Sequence, residues 1–367
     1  MRVLLISKAC VVGAYQTKLE ELARCPDMDL HVIVPPYWRE GNARLALERT
    51  HTSGYRLHVE PMALNGHFHT HFYPFLGRRI RELRPDIVHM DEEPYNLATW
   101  LALRAAAHHH AKALFFTWQN LQRTYPVPFR WFERENYRRA HYALAGNSEA
   151  VQVLRAKGYS GPVKVIPQFG VDPNLYRSLP ERHALRPFTI GYVGRLVPEK
   201  GLHLLLQAAA ALDGDWRLEI VGDGPERAHL QAIAAQQGVG ARVSFIPRIP
   251  STDVPSRLNH FDVLVLPSLS RPNWKEQFGR ILIEAMACET PVIGSDSGEI
   301  PHVIGGAGLI FPEGDAMALR ECLRRLREDD RLRAELGGAG RQRVLAHYTQ
   351  RRIAALTYGV YLEMSSQ

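Results

Sequence analysis

Two stretches in the second half of the chain carry side chains suited to an anionic, hydroxyl-rich ligand. The first is Gly191-Tyr192-Val193-Gly194-Arg195-Leu196, followed by Glu199-Lys200-Gly201. A strand that feeds a glycine loop and a helix start brings backbone N–H groups close to phosphate, with Gly194 allowing the approach, and Arg195 and Lys200 add mobile positive charge. The spacing matches neither a P-loop nor a Gly-x-Gly-x-x-Gly fingerprint, so on its own it supports general anion binding, and turn glycines flanked by surface charges are the competing reading. The second stretch is Glu276-Gln277-Phe278-Gly279-Arg280-Ile281-Leu282-Ile283-Glu284. Phe278-Gly279 permits close backbone approach at a helix start. Glu276 falls in the loop before that helix and Glu284 one turn beyond Arg280, where carboxylates can accept hydrogen bonds from sugar and ribose hydroxyls. Arg195, Lys200 and Glu276 are the catalytic candidates. Val221-Gly222-Asp223-Gly224 repeats the strand-to-helix glycine theme and reads more as a turn than as a ligand contact.

The elements that must hold these loops form an alternating α/β series. Short apolar strands are expected at 188–193, 218–221, 243–246, 263–266 and 292–294, with helices at 201–212, 225–237, 279–287 and 314–329. The first half follows the same grammar. Strands are expected at 3–7, 30–34, 86–89, 114–117, 142–145 and 163–167, with helices near 17–24, at 97–108 and around 135–156. This order implies mostly parallel sheets covered on both faces, and ligands in such sheets meet the loops at the carboxyl ends of the strands. A polar, proline-containing connector near 173–187 separates the halves. The expected division is residues 1–178, residues 179–349, and a last helix within 350–367 packing back on the first domain. A chain of 367 residues suits two domains of about 150 to 200 residues each.

Charge is unevenly placed. Residues 1–178 hold 23 Lys/Arg against 16 Asp/Glu, whereas 179–367 hold 22 of each, so the whole net charge of +7 belongs to the first half. Arg78, Arg79, Arg81 and Arg84, with Arg134, Arg138 and Arg139, are its densest clusters. They could attract a phosphorylated or lipid-linked acceptor or the surface of an anionic membrane, or they could be solvated helix faces. Nucleic acid is not expected, because no reading helix or paired zinc motif accompanies the charge. The apolar run at 3–6 is too short for a signal-peptide core and no stretch reaches membrane-spanning length. The four cysteines are widely separated and form no zinc pattern. A cytoplasmic protein with free thiols, in peripheral contact with the inner face of the membrane at most, is the expectation, with oligomeric state left open.

The combined order of these motifs resembles the family 4 retaining glycosyltransferases, whose GT-B fold pairs two Rossmann-like, doubly wound domains across a cleft. The resemblance covers nearly the whole chain and is strongest over 188–301, where Gly-Arg-Leu, Glu-Lys-Gly and the Glu276/Glu284 pair occur in the family's order. It implies that Arg195 and Lys200 contact the diphosphate of a nucleotide-sugar donor, Glu284 the ribose, and Glu276 the sugar hydroxyls, with the Phe278-Gly279 backbone close by. Arg248, after strand 243–246, is the pick for the segment facing the base, and a UDP-sugar is the favoured donor. Transfer then needs no separate cofactor and no metal, the two cations stabilising the leaving diphosphate. The acceptor is expected to be a glycan, a glycolipid or a small molecule.

The first half departs from the family pattern. Relatives often carry a glycine pair after the first strand, where this chain has Cys10-Val11-Val12-Gly13-Ala14, so Gly13 is the one candidate left for close approach to phosphate or acceptor. Where relatives place histidines, the chain offers His89-Met90-Asp91 and Thr117-Trp118-Gln119-Asn120. Asp91, Glu92, Glu93, Gln119 and Asn120 are therefore acceptor-side candidates, read as binding hydroxyls in preference to acting as nucleophiles. His67, His69 and His71, His108 to His110, and Asp27-Met28-Asp29 are not convincing metal sites. The aromatic run Trp118, Tyr125, Phe129, Trp131 and Phe132 suits core packing as well as an acceptor entrance. The alternatives to a transferase are a catalytically inactive sugar-nucleotide-binding regulator, which would bind donor without transfer, and an epimerase or phosphorylase of the same fold.

Overall fold

The computed structural model describes residues 1–41, 43–179 and 186–366; part of the expected 173–187 connector lies outside them. The chain divides into two compact units, Met1–Gly170 with Gln350–Gln367, and Val171–Thr349. The first crossing thus comes earlier than the 178/179 division expected from sequence, and the second falls at 349/350.

The first unit contains β1 (Arg2–Ile6), β2 (Asp29–Val34), β3 (Tyr37–Glu40), β4 (Ala43–Ala46), β5 (Arg56–Val59), β6 (Ile87–Met90), β7 (Lys112–Thr117), β8 (Tyr142–Ala145) and β9 (Val163–Val165). Seven of them form one sheet in the order β5-β2-β1-β6-β7-β8-β9, every pairing parallel, while β3 and β4 form a separate antiparallel hairpin. Alternate side chains go to opposite faces. Val3 and Leu5 of β1, Leu114 and Phe116 of β7, and Tyr142 and Leu144 of β8 join one buried cluster. Leu4 and Ile6, Ala113 and Phe115, and Ala143 and Ala145 join the other. A sheet covered on both faces gives runs of apolar residues instead of alternation, which is why these strands read so plainly. The C-terminal helix Gln350–Ser365 belongs to this unit. It packs Ile353, Val360, Tyr361 and Met364 into the first cluster, and its Tyr361 hydroxyl lies 2.6 Å from His89 Nδ1 on β6.

The second unit is a six-stranded parallel sheet of β10 (Phe188–Val193), β11 (Trp216–Val221), β12 (Val243–Ile246), β13 (Val263–Leu266), β14 (Val292–Ser295) and β15 (Leu309–Phe311), ordered β12-β11-β10-β13-β14-β15. This is the doubly wound arrangement in which the order reverses between the first strand and the fourth. The loops leaving the carboxyl ends of β10 and β13 flank that reversal, where ligands of such sheets bind. Those loops are residues 194–201 and 267–279, the two stretches singled out by their chemistry.

The elements not expected from sequence include the β3–β4 hairpin, β5, β15, and the helices Leu76–Leu83, Val254–His260, Ile300–Ile304 and Asp330–His347. The last of these helices carries Gly337, Gly338 and Gly340, which interrupt its apolar period. A Cβ at Gly337 would stand 2.5 Å from the Glu289 carbonyl, and one at Gly340 would stand 3.0 Å from the Met286 side chain. The glycines let this helix lie close against the end of helix Arg280–Ala287, which carries Glu284.

Candidate active site

In the second unit the β10 loop is fixed from both sides. Gly194 N–H donates to Val221 O, Leu196 N–H to Asp223 O and Glu226 N–H to Leu196 O. Gly222 has φ +139° and a Cβ there would fall 1.9 Å from Gly194 O, while one on Gly224 would fall 2.2 Å from Leu196 O. These two glycines therefore shape the turn under Gly194 to Leu196. The loop then turns through Pro198–Lys200 to Gly201, whose φ of +62° and position 2.1 Å (as a built Cβ) from Pro267 O require glycine. Leu269 N–H donates to Glu199 O, so the β10 and β13 loops are stitched together directly.

Across that seam Lys200 Nζ meets Glu276 Oε2 at 2.5 Å, and Ser268 Oγ–H donates to the same oxygen at 2.9 Å. Both charged side chains are largely shielded, 14% and 10% exposed, and the ammonium also lies 5.0 Å from the Trp274 ring centroid. The Glu276 backbone is held by the 298–299 turn. Glu299 N–H donates to Glu276 O, and Gly298, at φ +57°, leaves no room for a Cβ beside that carbonyl. Arg195 is exposed, its backbone fixed by the Tyr192 hydroxyl at 2.8 Å, and its guanidinium makes no hydrogen bond or ion pair among the described residues.

Gly279 starts the helix Arg280–Ala287 in the left-handed conformation, φ +76°. Phe278 is buried and packs edge-on against Tyr348 at 5.7 Å. One turn into the helix, Glu284 lies 2.8 Å from Arg280 Nε. Burial raises the Glu284 carboxyl above the usual range, opposed by Arg280 and by a hydrogen bond from Tyr176. The two glutamates are thus built alike, each shielded from water with its own cation. Arg248 is exposed after β12, and its N–H donates to Asp223 Oδ2 at 2.9 Å. Ser268, Trp274 and Tyr176 escaped the sequence reading, because single polar and aromatic residues in loops carry no periodic signal.

The first unit holds a second group of reactive side chains at the ends of β1 and β6, again where the sheet order reverses. Ser7 Oγ–H donates to Asp91 Oδ2 at 2.8 Å. Glu92 Oε2 receives Lys8 Nζ at 2.5 Å, His71 Nε2 at 2.8 Å and Asn96 Nδ2 at 3.2 Å. Burial alone would raise the Glu92 carboxyl, yet His71 and Lys8 overcome it and hold the pKa at about 2. Glu93 behaves oppositely. Burial pushes it up to about 7 even though Thr117 Oγ1 and Trp118 N donate to its two oxygens at 2.5 and 2.8 Å. Glu93 accordingly holds the loop after β7. A cavity of about 330 Å³ lies over this group, lined by Lys8, Trp38, Phe68, Asp91, Glu92 and Trp118 among others.

Other first-half candidates have neighbours of their own. Gly13 begins helix Gly13–Ala23, but its N–H donates to Glu48 Oε2 at 2.6 Å, and a Cβ built there would stand 2.0 Å from Thr50 Oγ1. Gln119 Oε1 accepts from Lys157 Nζ at 3.3 Å and Asn120 Nδ2 donates to Glu149 at 3.4 Å. His71 is a buried partner of a carboxylate, and among the described residues no three His, Cys, Asp or Glu side chains gather as a metal site. Much of the basic cluster is neutralised internally: Arg78 and Arg79 pair with Glu82, Arg79 also with Glu60, and Arg138 and Arg139 with Glu135. No helix among the described residues is long and apolar enough to cross a membrane.

Comparison with known proteins agrees with this layout. Residues 179–343 match the family model described as Glycosyl transferases group 1, and residues 19–175 match that described as Glycosyltransferase Family 4. The chain belongs to the family 4 glycosyltransferases. One relative is a GDP-mannose-dependent alpha-(1-6)-phosphatidylinositol monomannoside mannosyltransferase of Mycolicibacterium smegmatis, 32% identical over 61% of this chain and 60% of its own length. Another is the alpha-D-kanosaminyltransferase of Streptomyces kanamyceticus, 26% identical over 80% of this chain and 74% of its own. The match to the mycobacterial protein thus leaves about two fifths of that relative unmatched. Among solved structures, HepE of Anabaena in complex with UDP aligns with a TM-score of 0.77 at 18% identity, covering 99% of this chain and 100% of its own. The family 4 chain therefore has the GT-B fold, with its two parallel-sheet units.

Proposed function

We propose that this family 4 chain is a retaining glycosyltransferase that moves a hexose from a nucleoside diphosphate sugar to a hydroxyl of an acceptor, without a metal ion. The observation that carries the reading is the Lys200–Glu276 pair spanning the two loops at the sheet reversal, with the uncommitted Arg195 guanidinium on the same loop as Lys200. Breaking the bond from the anomeric carbon to the diphosphate builds negative charge on the leaving oxygens. Arg195 and Lys200 stabilise that charge, and preorganised cations of this kind supply transition-state stabilisation without a divalent ion. Before donor binds, the Glu276 carboxylate occupies Lys200. As the diphosphate takes over the ammonium, the carboxylate turns to the sugar hydroxyls. Glu284 accepts from the ribose hydroxyls, Gly194 and the Phe278-Gly279 backbone approach the donor, and Arg248 stands by the base. The acceptor attacks the face from which the diphosphate leaves, and Asp91 and Glu92 bind the acceptor.

UDP is the nucleotide we favour, as in the HepE complex. GDP-mannose, named for the mycobacterial relative, is the second reading. Dissociation constants for matched UDP, GDP and ADP sugars, measured in EDTA, separate the two. One nucleotide should bind clearly tighter than the others, and no binding across the panel would remove the donor site. Conversion of a labelled donor should then proceed in EDTA and give a product of unchanged anomeric configuration. Loss of turnover on chelation, or an inverted product, overturns the corresponding part of the proposal.

A further inference from the structure

Lys200 meets more than its counter-ion. The turn Arg271-Pro272-Asn273-Trp274 closes on itself, Arg271 N–H donating to Trp274 O at 2.7 Å and Trp274 N–H to Arg271 O at 3.2 Å. Pro272, with its fixed φ, suits the second position of such a turn. The residue before the turn is tied down as well: Ser270 N–H donates to Glu313 Oε2 at 2.6 Å, and the Ser270 and Ser297 hydroxyls meet at 3.0 Å. Pro272 and Asn273 are exposed, yet Trp274 is half-buried, its ring centroid 5.0 Å from Lys200 Nζ. Glu276, two residues on, reaches the same ammonium with its carboxylate at 2.5 Å. One short segment therefore offers Lys200 two attractions of different kinds. The carboxylate is a competitor that an incoming diphosphate must displace. The indole face attracts the ammonium through its quadrupole and carries no formal charge to repel a phosphate.

We infer that Trp274 is a positioning residue for Lys200, holding the ammonium at the seam of the two loops once Glu276 has let go, so that the diphosphate meets a cation already in place. The inference rests on the donor reading and adds the side chain that sets where Lys200 stands. A lysine side chain is long and flexible, and ordering it on a ligand costs free energy that a preset chain avoids. Without the ring the freed chain must be ordered by the diphosphate alone, and the bound state loses the attraction of the indole. Both effects weaken nucleotide binding. What counts is the aromatic face, since an aliphatic side chain fills the space without attracting the charge.

Calorimetry of the full chain with UDP and with GDP, in EDTA, tests this without requiring turnover or a known acceptor. For the nucleotide that binds, Trp274→Leu should raise the dissociation constant about tenfold, within the range of a cation–π contact shielded from water. Trp274→Phe, which keeps an aromatic face, should stay within about threefold of wild type. Added to Lys200→Met, Trp274→Leu should cost less than about twofold more, because the ring then has no ammonium to hold. Trp274→Met, equally without a ring face, replaces the leucine variant if that one does not fold. Equal losses in the Leu and Phe variants, no loss in the Leu variant, or a tenfold loss that persists beside Lys200→Met each overturn the inference, the last because the ring would then brace the loop or touch the nucleotide itself. The two claims separate cleanly. Weakening by Lys200→Met with none by Trp274→Leu sinks this inference alone, whereas unchanged affinity in Lys200→Met, or no binding of either nucleotide by wild type, sinks the donor reading and this inference with it.

Discussion

Replacing Lys200 should disturb stability and catalysis through different partners, and the two can be pulled apart. Lys200 and Glu276 meet at 2.5 Å with 14% and 10% of their side chains exposed. Breaking a fully buried pair by removing one partner costs about 3–5 kcal/mol. With this residual exposure to water, a loss of about 2 kcal/mol is expected for Lys200→Met. The leaving diphosphate also loses a cation, and one strong transition-state donor is worth about 3 kcal/mol. At 1.36 kcal/mol per decade that is roughly 150-fold in kcat/KM. Glu276→Gln acts differently. It frees Lys200 from its competitor, so UDP or GDP, which brings no sugar for Glu276 to hold, should bind severalfold tighter while transfer from the sugar nucleotide falls. The double variant Lys200→Met/Glu276→Gln should regain most of the lost stability, because no uncompensated charge remains, without regaining turnover. Urea unfolding, nucleotide calorimetry and initial rates under limiting donor measure the three quantities. Recovery of turnover in the double variant would refute the reasoning, since Lys200 would then serve only to neutralise Glu276; weaker nucleotide binding by Glu276→Gln would refute the proposed exchange of partners.

Glu284→Gln should weaken nucleoside diphosphate binding about tenfold, the size of one hydrogen bond to a charged group, and an unchanged dissociation constant removes the ribose assignment. Gly298→Ala, which would set a Cβ 2.0 Å from the Glu276 carbonyl at φ +57°, should lower kcat/KM at least tenfold with helix content intact; wild-type kinetics would show that the 298–299 turn does not position Glu276. The adjacent Glu92 and Glu93 should titrate with opposite effects on stability. The Glu92 pKa falls from 4.5 to about 2 on folding, so its contribution is present above 4.5 and is lost as pH drops through that window. The Glu93 pKa rises from 4.5 to about 7, so the folded state keeps a proton that the unfolded chain releases, and stability is lost as pH rises from 4.5 to 7. Relative to wild type, Glu93→Gln should therefore gain stability across the upper window and Glu92→Gln should lose it across the lower one, and a shared sign in pH-dependent unfolding refutes both assignments.

What could be read from the residues follows how each part of the site is made. The loops after β10 and β13 were legible because both strands are buried on both faces and appear as apolar runs, and because a loop at a strand's carboxyl end must carry its chemistry in consecutive residues. Gly194-Arg195 and Glu276 through Glu284 are such segments. Lys8, Trp38 and Phe68 were not legible as a group, since they reach one cavity from the β1 loop, a surface hairpin and an irregular stretch that share no period. Even the spacing His67, His69, His71, which suggests a metal, conceals a division of labour: His71 alone is fully buried, at 0% exposure, and it serves Glu92. The same contrast separates Glu92 from Glu93. In sequence they are equivalent acids, yet the donors that reach them differ. An ammonium and an imidazole on one oxygen keep Glu92 ionised, whereas a hydroxyl and an amide saturate Glu93 and turn it into a brace for the β7 loop. How each of two neighbouring carboxylates is held is therefore decided by residues more than twenty positions away, and only their arrival in the fold distinguishes the pair.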